Sequence, residues 1–413
     1  MKKISIALIQ PSYYGLGYID AANARDYEVI AITSSEEDPK KFGYVGKYKD
    51  LIVADIRDVD SIISAIDHSP YKNKLNALIP GCSYVTDIAA KVAEHYGLVS
   101  VGYEAAYRAR YKDETRKAFE SAGLLNAKFA AVTNFDEARE AANKIGYPVI
   151  VKPTNCDCSQ NVTYIKDEND LLDIFVKFRD FKTTYHNFNV RRIFLVEEYV
   201  TGPEFSVEIF MYKGEPIFAS VTEKFTTEPP YFAELAHVVP TSKNQAKVPI
   251  LIDCAVKAMK SVGLLNAPSH VEMKLSPRGP IIMEINARQG GDRIAQDLLI
   301  NAYGINLFDI GLDLYTGLPA KAKPTKKMAS AIAFLTVKKA GRVRNIIGLD
   351  KVGNMDAIIT QAIKLKTGDH VEPPTCSDER YGYLISVAKT PEEAKQIVFN
   401  AIDSIKIEYE AQH

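Results

Sequence analysis

The sequence predicts a mixed α/β and α+β protein of two or three lobes, and three observations carry that reading. The chain has 413 residues, more than one hydrophobic core usually organises. Its first 110 residues alternate short apolar runs with amphipathic stretches, the pattern of a parallel sheet with crossover helices. Its middle is dominated by runs in which polar and apolar residues alternate with a period of two, the mark of strands with one buried face.

Over residues 1–110, "ISIALIQ" (4–10), "EVIAIT" (28–33) and "ALIPG" (77–81) read as strands of a parallel α/β domain, with "DIAAKVAEHYG" as one of its helices. "GLG" at 15–17 follows the first strand without the third glycine of a dinucleotide fingerprint, so it reads as a turn. Residues 111–192 change pattern: helix "KDETRKAFESAG", strand "KFAAV", helix "FDEAREAANKIG", strand "PVIVKP", then a polar stretch at 179–192. That order makes a compact α+β lobe. A second lobe over 193–318 holds "IFLVEEYV", "EFSVEIFMY" and "EPIFASVTEKF" as strands, "PILIDCAVKAMKSVGL" as a helix, a strand pair around "SPRGP", and a helix starting near Ala295. A connection at 319–328 opens a C-terminal α+β segment, 319–413, in which "PEEAKQIVFNAIDSI" makes a capped amphipathic helix.

Composition narrows the function. Apolar content of 46% and charged content of 25% are ordinary for a soluble enzyme. Interleaved acids and bases sum to a formal charge of −1, which leaves no field to hold a nucleic acid or an anionic membrane. The expected partners are therefore small molecules. No apolar run approaches the ~20 residues of a bilayer span, and "MKKISIALIQPSYY" lacks the apolar core and cleavage site of a signal peptide. Five cysteines, with only Cys156 and Cys158 close together, match neither a zinc knuckle nor a redox pair, so the expected setting is a reducing cytoplasm.

The chemistry concentrates in "SHVEMKLSPRGPIIMEINARQGGD" at 269–292. His270, Glu272 and Lys274 alternate with Val271, Met273 and Leu275, and after the turn Glu284, Asn286 and Arg288 share one strand face. A hairpin centred on Arg278 sets Glu272 opposite or diagonal to Glu284, with Cβ atoms ~5 Å apart. Paired like charges call for a cation between them, and two carboxylates with the Asn286 amide suit Mg²⁺. Arg288 stands next on that face, ready to fork onto phosphate oxygens. Lys152 closes the apolar strand "YPVIVKP" and Lys112 opens a helix, both suitable for phosphate.

In order and spacing, Lys112, "VIVKP" at 149–153, "VEEYVTGPEFSVEI" at 196–209 and "VEMKL…IIMEINAR" at 271–288 resemble the ATP-grasp superfamily over roughly residues 100–315. The resemblance implies an ATP-grasp fold with an N-terminal Rossmann-like pre-ATP-grasp domain and a C-terminal closing domain. It implies ATP between two lobes, with Lys112 and Lys152 on the phosphates, Glu197 on the adenine amino group, the backbone at Glu198 and Val200 on the ring edge, and Glu204 on the ribose. Glu272, Glu284 and Asn286 would hold Mg²⁺, with Mn²⁺ as a substitute, and Arg288 would steady the transferred phosphoryl group. The flap after Lys152, "PTNCDCSQNVTYI", departs from the family in having no glycine. Without that freedom of φ, Ser159, Gln160 and Asn161 are expected to cover phosphate with side chains and amides, and the two flap cysteines read as residents of a tolerant exposed loop.

"VTEKFTTEPPYFAELAHVVPTS" at 221–242 resembles the substrate-side segment of the L-amino acid ligases, or dipeptide synthetases. That subgroup implies an ADP-forming ligase working through an acyl phosphate on a small-molecule carboxylate and amine, and a homodimer. Glu234 and His237 would then lie at the amino-acid pocket, Gly290 and Gly291 would bring backbone amides to a substrate carboxylate, and Gln289 and Asp292 would tune side-chain choice. "KKAGRVRNIIGLD" and "VAKTPEEAKQI" resemble the closing domain of the subgroup and of biotin carboxylases. Two alternatives remain: a ligase of a non-amino-acid carboxylate, purine-precursor or biotin-carboxylase-like, and a degenerate nucleotide-binding regulator. The first calls for extra basic residues at 223–240, where Lys224 is the one lysine or arginine; the second calls for lost metal ligands.

Overall fold

The computed structural model describes residues 3–184 and 187–410. The polar stretch at 179–192 crosses Tyr185 and His186, which lie outside the described residues. Strands β1 (Ser5–Ile9), β2 (Glu28–Thr33), β3 (Asp50–Val53) and β4 (Ala77–Pro80) form a parallel sheet in the order β3-β2-β1-β4. The period of two sorts β1 into two cores: Ile6 and Leu8 pack on one face, Ala7 and Ile9 on the other. "GLG" is not a turn. Gly15 caps and Gly17 lies within the helix Leu16–Ala24. A Cβ on Gly15 would come 2.2 Å from the Gly81 carbonyl oxygen, and one on Gly17 2.4 Å from the Phe308 ring. These glycines serve close packing of that helix on its neighbours.

The first lobe is an antiparallel sheet, β5 (Phe129–Val132), β6 (Val149–Pro153), β7 (Thr163–Ile165) and β8 (Phe194–Glu198), ordered β5-β8-β6-β7. Its helices Phe135–Ile145 and Glu168–Asp180 start at Asn134 and Asp167, whose side chains accept backbone N–H groups of the first turn. The expected second lobe opens with β8, yet β8 pairs into the first lobe's sheet.

The largest sheet has eight strands: β9 (Glu204–Tyr212), β10 (Glu215–Thr226), β11 (Glu234–Val239), β12 (Ala267–Ser276), β13 (Gly279–Asn286), β14 (Ala329–Phe334), β16 (Ile358–Ile363) and β18 (Gly382–Ala388). Their order is β13-β12-β9-β10-β11-β14-β18-β16, while β15 (Gly341–Ile347), β17 (His370–Val371) and β19 (Lys406–Tyr409) form a separate small sheet. The C-terminal segment thus extends the second lobe's sheet through β14. The helix Pro391–Ser404 is capped by Thr390, as its sequence predicts.

On β9, Phe205, Val207 and Ile209 join Ile6 and Leu8 of β1 and the helix Val248–Val262 in one core, which welds the N-terminal domain to the second lobe. The opposite face of β9 is equally covered: Ser206 and Glu208 are both 0% exposed, so this polar face is not a solvated one. No helix among the described residues is long and apolar enough to cross a membrane.

Gly15→Ala tests the close approach of the first helix. The colliding atom is backbone, which cannot rotate away, so the substitution is expected to cost about 3 kcal/mol; a urea titration should show a lowered midpoint at unchanged slope.

Candidate active site

The hairpin β12–β13 brings its two acids together. Glu272 pairs with Glu284 in register and Ser276 with Gly279, with an irregularity just after Glu272. Protein cations flank the pair. Lys112 Nζ lies 3.3 Å from Glu284, while Lys224 Nζ and His270 Nε2 each lie 2.9 Å from Glu272 Oε1. Asn286 stands two residues beyond Glu284, opposite His270. Two carboxylates and an amide form an all-oxygen donor set, which fits a hard divalent cation such as Mg²⁺.

Lys224 had no assigned role in the sequence, yet it stands at the centre. It is directly opposite Glu204 on β9 and His237 on β11. Its buried ammonium meets three carboxylates, Glu234 at 2.7 Å, Glu272 at 2.9 Å and Glu204 at 3.5 Å. Burial alone would lower its pKa; the three acids together raise it well above the ordinary lysine value. Burial would likewise raise Glu272, but Lys224 and His270 hold it well below the carboxylate range. Beside Glu204 opens a cleft of about 550 Å³, bounded by Tyr199, Lys274 and Phe232 and by Phe399 from the C-terminal helix. Lys274 lies over the Tyr199 and Phe232 rings.

Lys152 and Glu197 do not stand free. Lys152 Nζ is 2.6 Å from Glu197 Oε2, and Arg116 Nε donates to Glu197 Oε1 at 2.5 Å. Arg116 also donates to the Ile282 carbonyl at 2.5 Å, linking helix Lys112–Ser121 to β13. Burial pushes Glu197 up, but the two cations prevail and bring it down to about 2. Burial pulls Lys152 down against the pull of Glu197, and nearby Arg116 and Lys112 add to the fall. The Glu198 carboxylate accepts from the Lys128 amide and pairs with Arg278. Val200 packs with Ala127 and Ile281 in a small apolar cluster edged by Met283.

The flap corrects one expectation. It curls without glycine, since Cys158, Ser159 and Asn161 take φ of 56°, 56° and 58°, a conformation costing about 1–2 kcal/mol per residue. Lys112 Nζ donates to the Cys156 carbonyl at 2.7 Å, and Ser159 Oγ to the Phe232 carbonyl at 3.3 Å, so the flap bridges both lobes. Cys156 is buried rather than exposed, and burial pushes its thiol up to about 12; Cys158 is exposed.

Beyond Lys224, Glu234, His237 and Asp292 converge, with His237 Nε2 3.1 Å from Asp292 and 3.8 Å from Glu234. Arg380, from the C-terminal segment, donates to both Asp292 oxygens at 2.7 Å and lies 3.7 Å from the Phe334 ring centre. With Lys224 on Glu234 and Arg380 on Asp292, both acids of this trio are already paired with protein cations. Burial and Asp292 raise the Glu234 pKa against Lys224, whereas Arg380 overcomes burial and holds Asp292 well below its ordinary value. Asp292 and Arg293 take φ of 49° and 64° and lead into a π-helical turn, Ile294–Leu298, where a plain helix was expected.

Arg288 and Gln289 of this loop are both tied to the N-terminal domain. Gln289 is buried and donates to Tyr18 Oη at 2.5 Å, which fastens the N-terminal helix rather than facing a ligand. Arg288 Nε donates to Ser83 Oγ at 2.6 Å and its guanidinium lies over Tyr14, so in this structure it faces the N-terminal domain. Gly290 abuts Glu208, while a Cβ on Gly291 would meet open space.

An ATP-grasp domain model matches residues 145–297, and an L-amino acid ligase C-terminal domain 2 model matches residues 333–410. The chain carries an ATP-grasp domain joined to an L-amino acid ligase C-terminal domain. It is 30% identical to the alanine–anticapsin ligase of Bacillus subtilis over 54% of this chain and 50% of that one. An uncharacterized Sinorhizobium fredii protein is 21% identical over 98% of this chain and 83% of its own. The crystal structure of the L-amino acid ligase from Bacillus licheniformis superposes with a TM-score of 0.82 at 18% identity, covering all of both chains, which establishes the shared ATP-grasp fold.

Arg116 and Arg380 escaped the sequence reading because neither sits in a motif: one is a helix arginine among other charges, the other lies 88 residues from its partner Asp292. The Glu197 triad yields a pH prediction. Its carboxylate is ionised in the folded chain down to about 2 and in the unfolded chain down to its ordinary 4.5, so its stabilisation is present at neutral pH and is lost as pH falls from 4.5 towards 2. Glu197→Gln leaves two buried cations unpaired and is expected to cost about 3–5 kcal/mol at pH 7, with the difference from wild type shrinking in urea unfolding as pH falls below 4.5.

Proposed function

We propose that this chain is an ATP-dependent carboxylate–amine ligase that joins two amino acids, or an amino acid and a related amine, through an acyl phosphate, releasing ADP and phosphate. The observation that carries the reading is the in-register pair Glu272 and Glu284, bracketed by Lys112 and Lys224 beneath a flap that touches both lobes. Lys112 and Lys152 neutralise the phosphates, the Val200 cluster and Glu197 face the base, and Glu204 faces the ribose. A magnesium ion on Glu272, Glu284 and Asn286 would supply further neutralisation of charge on the phosphates. The substrate carboxylate oxygen attacks the γ-phosphorus, with ADP leaving, and the amine nitrogen then attacks the acyl carbon, with phosphate leaving. Arg288, turned towards Ser83 in this structure, is assigned to the transferred phosphoryl group. Glu234 and His237 hold the amino-acid end, and the Gly291 backbone, with open space beside it, approaches the carboxylate. The Ser159–Phe232 contact keeps water from the activated acyl group.

The match to the L-amino acid ligase C-terminal domain and the filled charge of Lys224 both favour amino acids over a phosphoribosyl acid. Three carboxylates already claim the one lysine in 223–240. The domain roles follow: residues 1–110 present the pocket wall, 111–192 and 193–318 enclose the nucleotide, and 319–413 brace the substrate loop through Arg380.

Phosphate release is expected only when ATP, Mg²⁺ and a suitable amino-acid mixture are all present, with product mass giving the identity of the pair. AMP and pyrophosphate as products would exclude the acyl-phosphate route. Glu284→Ala is expected to lower turnover by at least about 100-fold at an unchanged melting temperature; a near-normal rate would remove Glu284 from the site.

A further inference from the structure

We infer that Glu208 and His270 form a positioning relay that couples the glycine turn at Gly290 to the carboxylate of Glu272. The inference rests on the reading of Glu272 as a ligand of a divalent cation. On β12, His270 lies two residues before Glu272 and on the same face, directly opposite Glu208 of β9 and Asn286 of β13. Its Nδ1 is 2.7 Å from Glu208 Oε1 and its Nε2 is 2.9 Å from Glu272 Oε1. Ionised carboxylates only accept, so both ring nitrogens donate and the ring is fixed at each end. Ser206 Oγ donates to the same Glu208 oxygen at 2.8 Å, which fixes the far end of the chain.

What the relay orients is one particular oxygen. His270 and Lys224 both engage Glu272 Oε1, and among the described residues no donor engages Oε2. A carboxylate tethered through one oxygen offers the other in a set direction, the usual office of a buried partner behind a metal ligand.

The other end of the relay meets the substrate loop. Glu208 is 0% exposed, yet its Oε2 has no hydrogen-bond partner. That bare oxygen lies against Gly290, where a Cβ would come 2.5 Å from it and 3.0 Å from His270 Nδ1. A buried charged oxygen left bare is costly. Its position against a residue with no side chain makes the relay sensitive to the turn. Gly290 is therefore required by Glu208 and His270, which is a different reason from backbone approach to substrate. A movement of the 290–292 loop shifts Glu208, then His270, then Glu272.

The test uses the full-length protein and Mn²⁺ in place of Mg²⁺. Free Mn²⁺ is titrated by electron paramagnetic resonance in the presence of ADP, and ADP affinity without metal is measured by calorimetry. His270→Gln and Glu208→Gln are expected to weaken Mn²⁺ binding about 10–100-fold while ADP binding without metal stays unchanged. Gly290→Ala, which touches Glu208 and His270 rather than Glu272 itself, is expected to weaken Mn²⁺ in the same range. Should Glu208→Gln fail to fold, His270→Gln and Gly290→Ala still decide the matter. The relay is overturned by Mn²⁺ affinity within threefold of wild type in His270→Gln, or by a Gly290→Ala protein altered only in its amino-acid KM. Wild-type protein that binds no Mn²⁺ with ADP would overturn the metal reading and the relay together. Normal metal binding with loss in the variants, but no amide product from any amino-acid pair, would overturn the ligase reading and uphold the relay.

Discussion

On the inner face of the eight-stranded sheet, Glu204, Glu208, Glu234 and Glu272 crowd around two cations, Lys224 and His270. Much else in the structure follows from that compensation of buried charge. Because Phe205, Val207 and Ile209 hold the opposite face of β9 in the core shared with the N-terminal domain, Glu208 on its other face cannot turn away to water. A buried carboxylate without a partner shifts its pKa or unfolds its surroundings. Strand register solves the problem by setting Lys224 opposite Glu204 and His270 opposite Glu208.

The same logic joins regions distant in sequence. Arg116 spans from the first helix of the first lobe to Glu197 on β8 and to the carbonyls of β13. Lys112 reaches both Glu284 and the flap. Arg380 reaches from the C-terminal segment to the strained residue after the double glycine. Arg116 to Ile282, Lys112 to Glu284 and Arg380 to Asp292 each place a charge of one region against another region's backbone or acid. The site is therefore assembled by long-range electrostatics on a framework already held by apolar packing.

The strand pattern was readable because period-two alternation survives in single sequences: the β12–β13 hairpin and the pairing of Glu272 with Glu284 follow from residues 270–286 alone. Sheet membership was less readable. Nothing local shows that β8 pairs back into the first lobe, or that β14 lines up beside β11 across almost a hundred residues. The glycines misled in both directions. "GLG" resembled a turn but serves helix packing, and the flap curls with none because Asn161 and its neighbours accept left-handed backbone. Gln289 resembled a specificity residue by its place beside the glycines, whereas its burial against Tyr18 depends on how the N-terminal helix docks.

Sheet continuity has a mechanical consequence. Backbone bonds run without interruption from β13 through β11 and β14 to β18, so the second lobe and the C-terminal region have no seam along which to swing apart. Among the described residues the four strands of the first lobe pair only among themselves, and side-chain ties such as Arg116 to Ile282 and Ser159 to Phe232 hold them to the larger body. The smaller sheet is thus joined to the rest by replaceable ion pairs and flap contacts, whereas the larger sheet is joined through its own backbone.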